Sequence, residues 1–235
     1  MQEILVPAEV HVWTAFTNVD VFDRNWRETL SPEEREKAER FSSERHRQNY
    51  IFAHAVLRDI LGRYLMRSAR NVLFKYDAFG KPLLVHSETQ VPLYFNLSHS
   101  GSMVLVALAY GRHIGADVEE VRPLEDIEHI ATAYFTTQER AFVLSRDSEE
   151  RARAFFHCWT RKESYIKALG KGLLIPLNSF ETCITAGMSG RMLPRSAERP
   201  EVESWWLTDV DVPAGYSGAM TVERGFERLM YFRWA

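Results

Sequence analysis

Cysteine is nearly absent, with two in 235 residues, Cys158 and Cys183. Two thiols so far apart form neither a metal-ligand pair nor a disulfide framework, and free thiols suit a reducing compartment. Long apolar runs are missing too, and nothing approaches the ~18–20 uninterrupted apolar residues that span a bilayer. The first ten residues carry Glu3 and Glu9 and no basic flank to an apolar core, which is not the pattern of a signal peptide. Charge of one sign is not in excess. The 29 Lys and Arg against 32 Asp and Glu leave a net charge of −3, so nothing in the balance calls for a nucleic-acid partner. There is no Walker-type glycine loop, no GxGxxG and no His-Glu-x-x-His helix. What is present is ordinary: 46% hydrophobic and 26% charged residues exclude collagen-like and disordered chains. The expectation is a soluble cytoplasmic protein of one domain or two small ones, with neither membrane nor nucleic acid as partner.

Punctuation and periodicity then divide the chain. Ser31-Pro32-Glu33-Glu34 reads as a capping box with proline at the first helical position, and a charged helical stretch follows. Residues 44–66 repeat apolar positions at three- and four-residue intervals, the period of a helix. Residues 72–76, 94–98, 103–108 and 114–119 read as strands, with a turn at Phe79-Gly80-Lys81-Pro82 and glycines at 101 and 111 as antiparallel connections. Helices are expected over 124–135, after the capping box Thr136-Thr137-Gln138-Glu139, and over 149–169 before Gly170. Strands return at 180–184, 205–207 and 216–222, with a loop over 187–200. Helices and strands segregate instead of alternating, which favours an α+β class over βαβ units. The simplest organisation is two half-chains of similar layout, 1–111 and 112–222, followed by a C-terminal tail, 223–235.

Three groups of residues could carry chemistry. Asp117 and Glu119 are two apart on a strand, so both carboxylates leave one face. They read either as a solvent-facing acidic strand end or as oxygen ligands for Mg²⁺, which takes one or two carboxylates, water and substrate phosphate. Trp159, Glu163 and Lys167 are four apart and share a helix face. The bland reading is a surface Glu–Lys pair contributing about 0.2–0.5 kcal/mol. The sharper one takes the partly buried Trp159 as a sign that carboxylate and ammonium serve as metal ligand or base and as phosphate partner. Phe95-Asn96-Leu97-Ser98-His99-Ser100-Gly101 ends a strand. A Ser-His hydrolase is geometrically poor there, because neighbours on a strand point to opposite sides and no nucleophile elbow surrounds Ser98. That leaves a polar turn or an anion site. His11, His46 and His54 read as surface or satisfied structural residues.

Taken in order, these segments resemble the Sfp-type 4'-phosphopantetheinyl transferases. That family's patterns F-N-x-S-H-S, G-x-D-x-E and W-x-x-K-E-x-x-x-K stand here as Phe95-Asn96-Leu97-Ser98-His99-Ser100, Gly115-Ala116-Asp117-Val118-Glu119, and Trp159-Thr160-Arg161-Lys162-Glu163-Ser164-Tyr165-Ile166-Lys167. The segment from Ser31 to Lys37, Gly80-Lys81-Pro82, and Gly170-Lys171-Gly172-Leu173 add to the match, which spans roughly residues 30–185. The resemblance implies two pseudo-symmetric α+β halves, each a small antiparallel sheet with packed helices, and an active site in the cleft between them. It implies a monomer that moves 4'-phosphopantetheine from coenzyme A to a serine of an apo acyl or peptidyl carrier protein, releasing adenosine 3',5'-bisphosphate. Carried over residue by residue, Asp117, Glu119 and Glu163 would hold Mg²⁺, with Mn²⁺ as a substitute. Glu163 would activate the carrier serine and Lys167 would contact the phosphates. Ser98, His99, Lys81 and Lys37 match positions that meet the coenzyme's phosphates. The family often places an arginine nine residues before the position of Arg58. Here that slot is Asn49, and Arg47, two residues earlier, is the candidate substitute; Glu34 stands where some relatives carry lysine. The alternatives are a Mg²⁺-dependent phosphohydrolase of coenzyme A or nucleotides, and a non-catalytic coenzyme A-binding module.

Overall fold

A computed structural model describes residue 6 and residues 8–17, 25–85, 91–170, 174–182, 192–194 (backbone) and 204–235. Lys171-Gly172-Leu173, Cys183 and most of the loop expected over 187–200 lie outside them. In chain order the elements are β1 (Glu9–Phe16), α1 (Asn25–Thr29), α2 (Pro32–Glu39), α3 (Glu44–Leu65), β2 (Phe74–Tyr76), β3 (Pro82–Leu84), β4 (Leu93–Ser100), β5 (Met103–Tyr110) and β6 (Ile114–Glu120). They continue with α4 (Ile127–Tyr134), α5 (Thr137–Leu144), α6 (Ser148–Leu169), β7 (Phe180–Thr182), β8 (Met192–Pro194), β9 (Trp205–Asp209), β10 (Tyr216–Glu223) and β11 (Arg228–Arg233). The class is α+β, as expected. No helix among the described residues is long and apolar enough to cross a membrane.

Close packing divides the chain into two units, one ending at Gly111 but joined by Glu227–Ala235, the other spanning Arg112–Phe226. The first is a four-stranded sheet in the order β11-β1-β5-β4, with α3 as its long helix. Ser43 starts α3 by accepting the His46 N–H, and the helix ends where Met66 turns left-handed. Phe52, Val56 and Ile60 on α3 pack against Trp13 of β1, Phe95 of β4 and Val104, Val106 and Leu108 of β5. Each large apolar side chain so buried is worth about 1.5–3 kcal/mol.

Two elements of this sheet differ from the sequence reading. β1 has no periodicity that marks it as a strand, and residues 223–235, expected as a tail, carry the end of β10 and all of β11. β11 runs parallel to β1, with Arg228 paired to Glu9 in register and by charge. Phe232 stacks on Trp13 at 4.9 Å, and the Trp234 indole N–H donates to Asp59 on α3 at 2.8 Å. The aromatic side chains of the chain's end fill the flank of the core, which is why it folds back instead of trailing.

The expected capping box at α2 is present: the Ser31 hydroxyl accepts the Glu34 N–H, and the Glu34 carboxylate accepts the Ser31 N–H at 2.8 Å. The same carboxylate is 2% exposed and receives Arg58 Nε at 2.6 Å and His54 Nδ1 at 3.0 Å. Burial alone would raise its pKa. The hydrogen bond and charge of His54, the Arg58 guanidinium and the Ser31 N–H outweigh burial and hold Glu34 below the usual 4.5. A carboxylate favoured in its ionised form by folding gives its full stabilisation above the unfolded pKa and loses it as pH falls through the lower folded value. Thermal unfolding followed by circular dichroism should therefore show a midpoint that drops on acidification below about pH 4.5. Glu34→Gln should flatten that acid limb.

The second unit has a three-stranded antiparallel sheet, β6-β10-β9, with the 22-residue α6 against it. Asp147 caps α6 by accepting the N–H groups of Glu149 and Glu150, and Gly170, at φ 66°, ends it. Helix α4 is shorter than expected, beginning at Ile127 after a turn at Glu125 and Asp126. β8, paired with β7, falls inside the expected loop over 187–200. Cys158 is a free, buried thiol, and burial pushes its pKa up, which makes it unreactive.

Candidate active site

The carboxylates of the second unit are gathered by one glycine. Gly115, Asp117 and Glu119 alternate on β6 and face α6. A Cβ at Gly115 would lie 2.1 Å from the Ser164 carbonyl oxygen and 2.3 Å from the Ala168 nitrogen, so only glycine admits the helix at this distance. Hydrogen bonds between Thr160 and Ser217 (3.2 Å) and between Ser164 and Thr221 (2.8 Å) tie the same helix to β10. Glu163 and Lys167 each precede by one residue a residue touching Gly115, and so come beside the acidic pair. Lys167 Nζ donates to Asp117 Oδ1 at 2.5 Å. Gly115→Ala should cost the unit about 3 kcal/mol or more, because the clash is with backbone that cannot step aside. Urea unfolding measures the loss.

Asp117 is 3% exposed and Glu119 half-buried, which removes the reading of a solvent-facing strand end. Burial, and then the charges of Asp117 and Glu119, raise the Glu163 pKa, while Lys167 opposes them. Trp159, one turn before Glu163, stacks on Phe155 at 5.8 Å and meets Tyr134 edge-on at 5.9 Å, anchoring the stripe to the packed side of α6. Among the described residues no three His, Cys, Asp or Glu side chains stand at metal-holding geometry, and it is the ammonium of Lys167 that balances Asp117. Asp117, Glu119 and Glu163 are hard oxygen donors, the ligand type Mg²⁺ takes.

The first unit holds a cavity of about 730 Å³. Tyr50, Phe74 and Phe95 give it flat apolar walls; Lys37, Arg40, His54 and His99 supply cationic or imidazole groups, and Glu33, Glu34 and Glu36 supply carboxylates. Lys37 Nζ lies 5.5 Å from the centre of the Tyr50 ring. Gly80 and Pro82 line the cavity on either side of Lys81, and burial brings the Lys81 ammonium down to about 8 against the opposing charge of Asp77. β4 continues through Ser100, so His99 is exposed on the cavity side while Ser98 is buried and does not line it. Arg47 is not brought there either. Its guanidinium reaches the Phe41 carbonyl at 3.3 Å and Glu44 at 3.0 Å, and Asn49 donates to the Gly101 carbonyl at 2.8 Å. Arg47 braces Phe41, which does line the cavity.

Two buried groupings escaped the sequence reading. Lys162, between Arg161 and Glu163, is fully buried, paired with Glu139 at 2.8 Å and donating to the carbonyls of Leu177 and Phe180. The second is the Glu34–His54–Arg58 set beside the cavity: His54 and Arg58 are four apart on α3, but Glu34 precedes them by 20 and 24 residues and no spacing joins it to them.

Comparison with known proteins gives these features a family. Residues 113–218 match the 4'-phosphopantetheinyl transferase superfamily, and residues 22–110 match the N-terminal model of the 4'-phosphopantetheinyl transferases. The chain is 36% identical to the 4'-phosphopantetheinyl transferase HetI of Nostoc sp., over 77% of this chain and 76% of that protein. It is 31% identical to the 4'-phosphopantetheinyl transferase Sfp of Bacillus subtilis, over 81% of each. Among solved structures, the holo-[acyl-carrier-protein] synthase of Thermotoga maritima aligns with a TM-score of 0.37 at 19% identity, covering 48% of this chain and 62% of that one. The chain belongs to the 4'-phosphopantetheinyl transferase superfamily.

Proposed function

We propose that this chain transfers the 4'-phosphopantetheine group of coenzyme A to a serine of an apo carrier protein and releases adenosine 3',5'-bisphosphate, acting as a monomer in the cytoplasm. The observation that carries the reading is the joining of Asp117, Glu119, Glu163 and Lys167 across β6 and α6, within the matched family. Asp117, Glu119 and Glu163 would hold Mg²⁺, or Mn²⁺ in its place, and a cation so held neutralises charge on pyrophosphate oxygens. The carrier serine Oγ forms a bond to the phosphorus that bears the pantetheine, and the bond from that phosphorus to the bridging oxygen breaks. Glu163, whose raised pKa suits a proton acceptor, takes the serine proton. Lys167 meets the phosphates and stabilises the charge on the departing adenosine 3',5'-bisphosphate.

The cavity of the first unit is assigned to the nucleotide end of the coenzyme, with Lys37, Lys81 and His99 toward its phosphates and Ser98 and Arg47 supporting the walls. A charge-assisted contact is worth about 1.5–3 kcal/mol, so dephospho-coenzyme A should bind about tenfold or more weakly than coenzyme A. His99→Ala should weaken coenzyme A and leave dephospho-coenzyme A nearly unchanged. Equal losses for both ligands would make His99 structural.

The reading is tested by following the nucleotide product with and without an apo carrier. Release of adenosine 3',5'-bisphosphate in step with added carrier, stopped by EDTA and restored by Mg²⁺, is the expected result. Release of free phosphopantetheine without a carrier would instead identify a hydrolase.

A further inference from the structure

Two walls of the cavity in the first unit are thinly packed and share one buried anchor. Helix α2 buries Glu34 and Ala38 alone, and in the β2–β3 hairpin Leu84 is the one buried residue. These two elements carry Lys37 and Lys81. Arg58 on α3 joins them, with its side chain 2% exposed. Its Nε donates to the Glu34 carboxylate at 2.6 Å. A terminal nitrogen of the same guanidinium donates to the carbonyls of Val72 (2.9 Å) and Ala69 (3.2 Å), just before β2. The guanidinium carbon also lies 5.0 Å from the centre of the Phe74 ring, and Phe74 meets Phe95 of β4 at 5.5 Å.

Each lysine is tied closely to its end of this link. Lys37 follows Glu34 by three residues and so stands beside it on the next turn of α2. Beyond Phe74 and Tyr76, Asp77 Oδ1 accepts the N–H groups of Phe79 (2.8 Å) and Lys81 (2.9 Å), which fixes the turn that bears Lys81. A guanidinium holds its five donors in a rigid plane, so it sets the direction of both attachments as well as their spacing. An anion held between two lysines depends on that spacing, because a charge-assisted hydrogen bond weakens steeply as distance and angle depart from the optimum. We propose that Arg58 is a positioning residue for the 3'-phosphate of coenzyme A: through Glu34 it places Lys37, and through Val72 and Phe74 it places Lys81. Arg58 does not itself line the cavity. This rests on the assignment of both lysines to the coenzyme's phosphates.

The test measures the affinities of coenzyme A and dephospho-coenzyme A by isothermal titration calorimetry on the full chain, with folding checked by circular dichroism. Wild type should prefer coenzyme A by about tenfold or more. Arg58→Lys keeps the charge opposite Glu34 but has no rigid fork, and should lower the ratio to about threefold or less. A general loss of stability reduces the folded fraction alike for both ligands and leaves the ratio where it was. Glu34→Asp keeps its charge and shortens the reach by one methylene; it should lower the ratio too, and it decides the question where Arg58→Lys does not fold. In a Lys37→Ala/Lys81→Ala chain, adding Arg58→Lys should lower the ratio no further, since the groups it acts through are gone. A wild-type ratio in folded Arg58→Lys or Glu34→Asp would overturn the proposal. So would an Arg58→Lys effect of the same size without the two lysines. Equal affinity of wild type for the two ligands would overturn the phosphate assignment, and the proposal with it.

Discussion

Glu163→Gln should lower the rate of transfer by about a hundredfold or more while coenzyme A still binds with an affinity close to that of wild type. The amide keeps the shape of the side chain and its place on α6 one turn before Lys167, but it has no basic oxygen to take the serine proton. The loss belongs in turnover at saturating coenzyme A, measured with an apo carrier in excess. Because the same carboxylate is assigned to the cation, the Mg²⁺ concentration needed for half-maximal rate should rise as well. Asp117→Ala should be more severe, since it removes both a carboxylate proposed to hold the cation and the partner of Lys167 at 2.5 Å. A Glu163→Gln protein turning over at the wild-type rate in saturating Mg²⁺ would remove Glu163 from both roles.

Lys162→Met should destabilise the second unit by about 3–5 kcal/mol, because it leaves the Glu139 carboxylate buried without its counter-charge. Both side chains are fully buried, and burial drives the Lys162 pKa down while the Glu139 charge pulls it back up. Glu139 also accepts from the Thr136 N–H at 2.9 Å and from the Thr182 N–H and hydroxyl at 2.8 Å, so the pair joins the start of α5, the middle of α6 and β7. Removing both charges in Lys162→Met/Glu139→Gln should recover much of the loss, since the amide can still satisfy those donors. Urea unfolding of the single and double variants measures the coupling. A single variant as stable as wild type would show that the pair is dispensable.

How far the sequence anticipates this structure depends on the periodicity of each element. Helices α3 and α6 are legible because one face is apolar at three- and four-residue spacing and their ends carry Ser43, Asp147 and Gly170. The candidate site is legible for the same reason: two residues along a strand and four along a helix each fix one face, so Asp117 with Glu119 and Glu163 with Lys167 are paired before any fold is known. β1 lacks that signal. It is the inner strand between β11 and β5 and is buried almost throughout, so it shows no alternation, and its Glu9 and His11 look like surface residues until their buried partners are seen. β11 has the opposite difficulty, since only Leu229 and Phe232 are partly sheltered and its pairing comes from a strand more than two hundred residues away. The Glu34–His54–Arg58 set is joined only by packing of α2 on α3 across 20 and 24 residues. Arg47 shows the limit of reading by position, because a guanidinium at the start of a helix can return to a nearby carbonyl, as it does to Phe41, without entering the cavity.

The most direct measurement of the central claim is the intact mass of an apo carrier protein after incubation with this chain, coenzyme A and Mg²⁺. The account predicts a gain equal to one phosphopantetheine group on the carrier. It predicts no gain when the carrier's acceptor serine is alanine, and none with the Asp117→Ala chain. An unmodified carrier across a panel of fatty-acid, polyketide and peptide carriers, with coenzyme A either intact or simply hydrolysed, would contradict it.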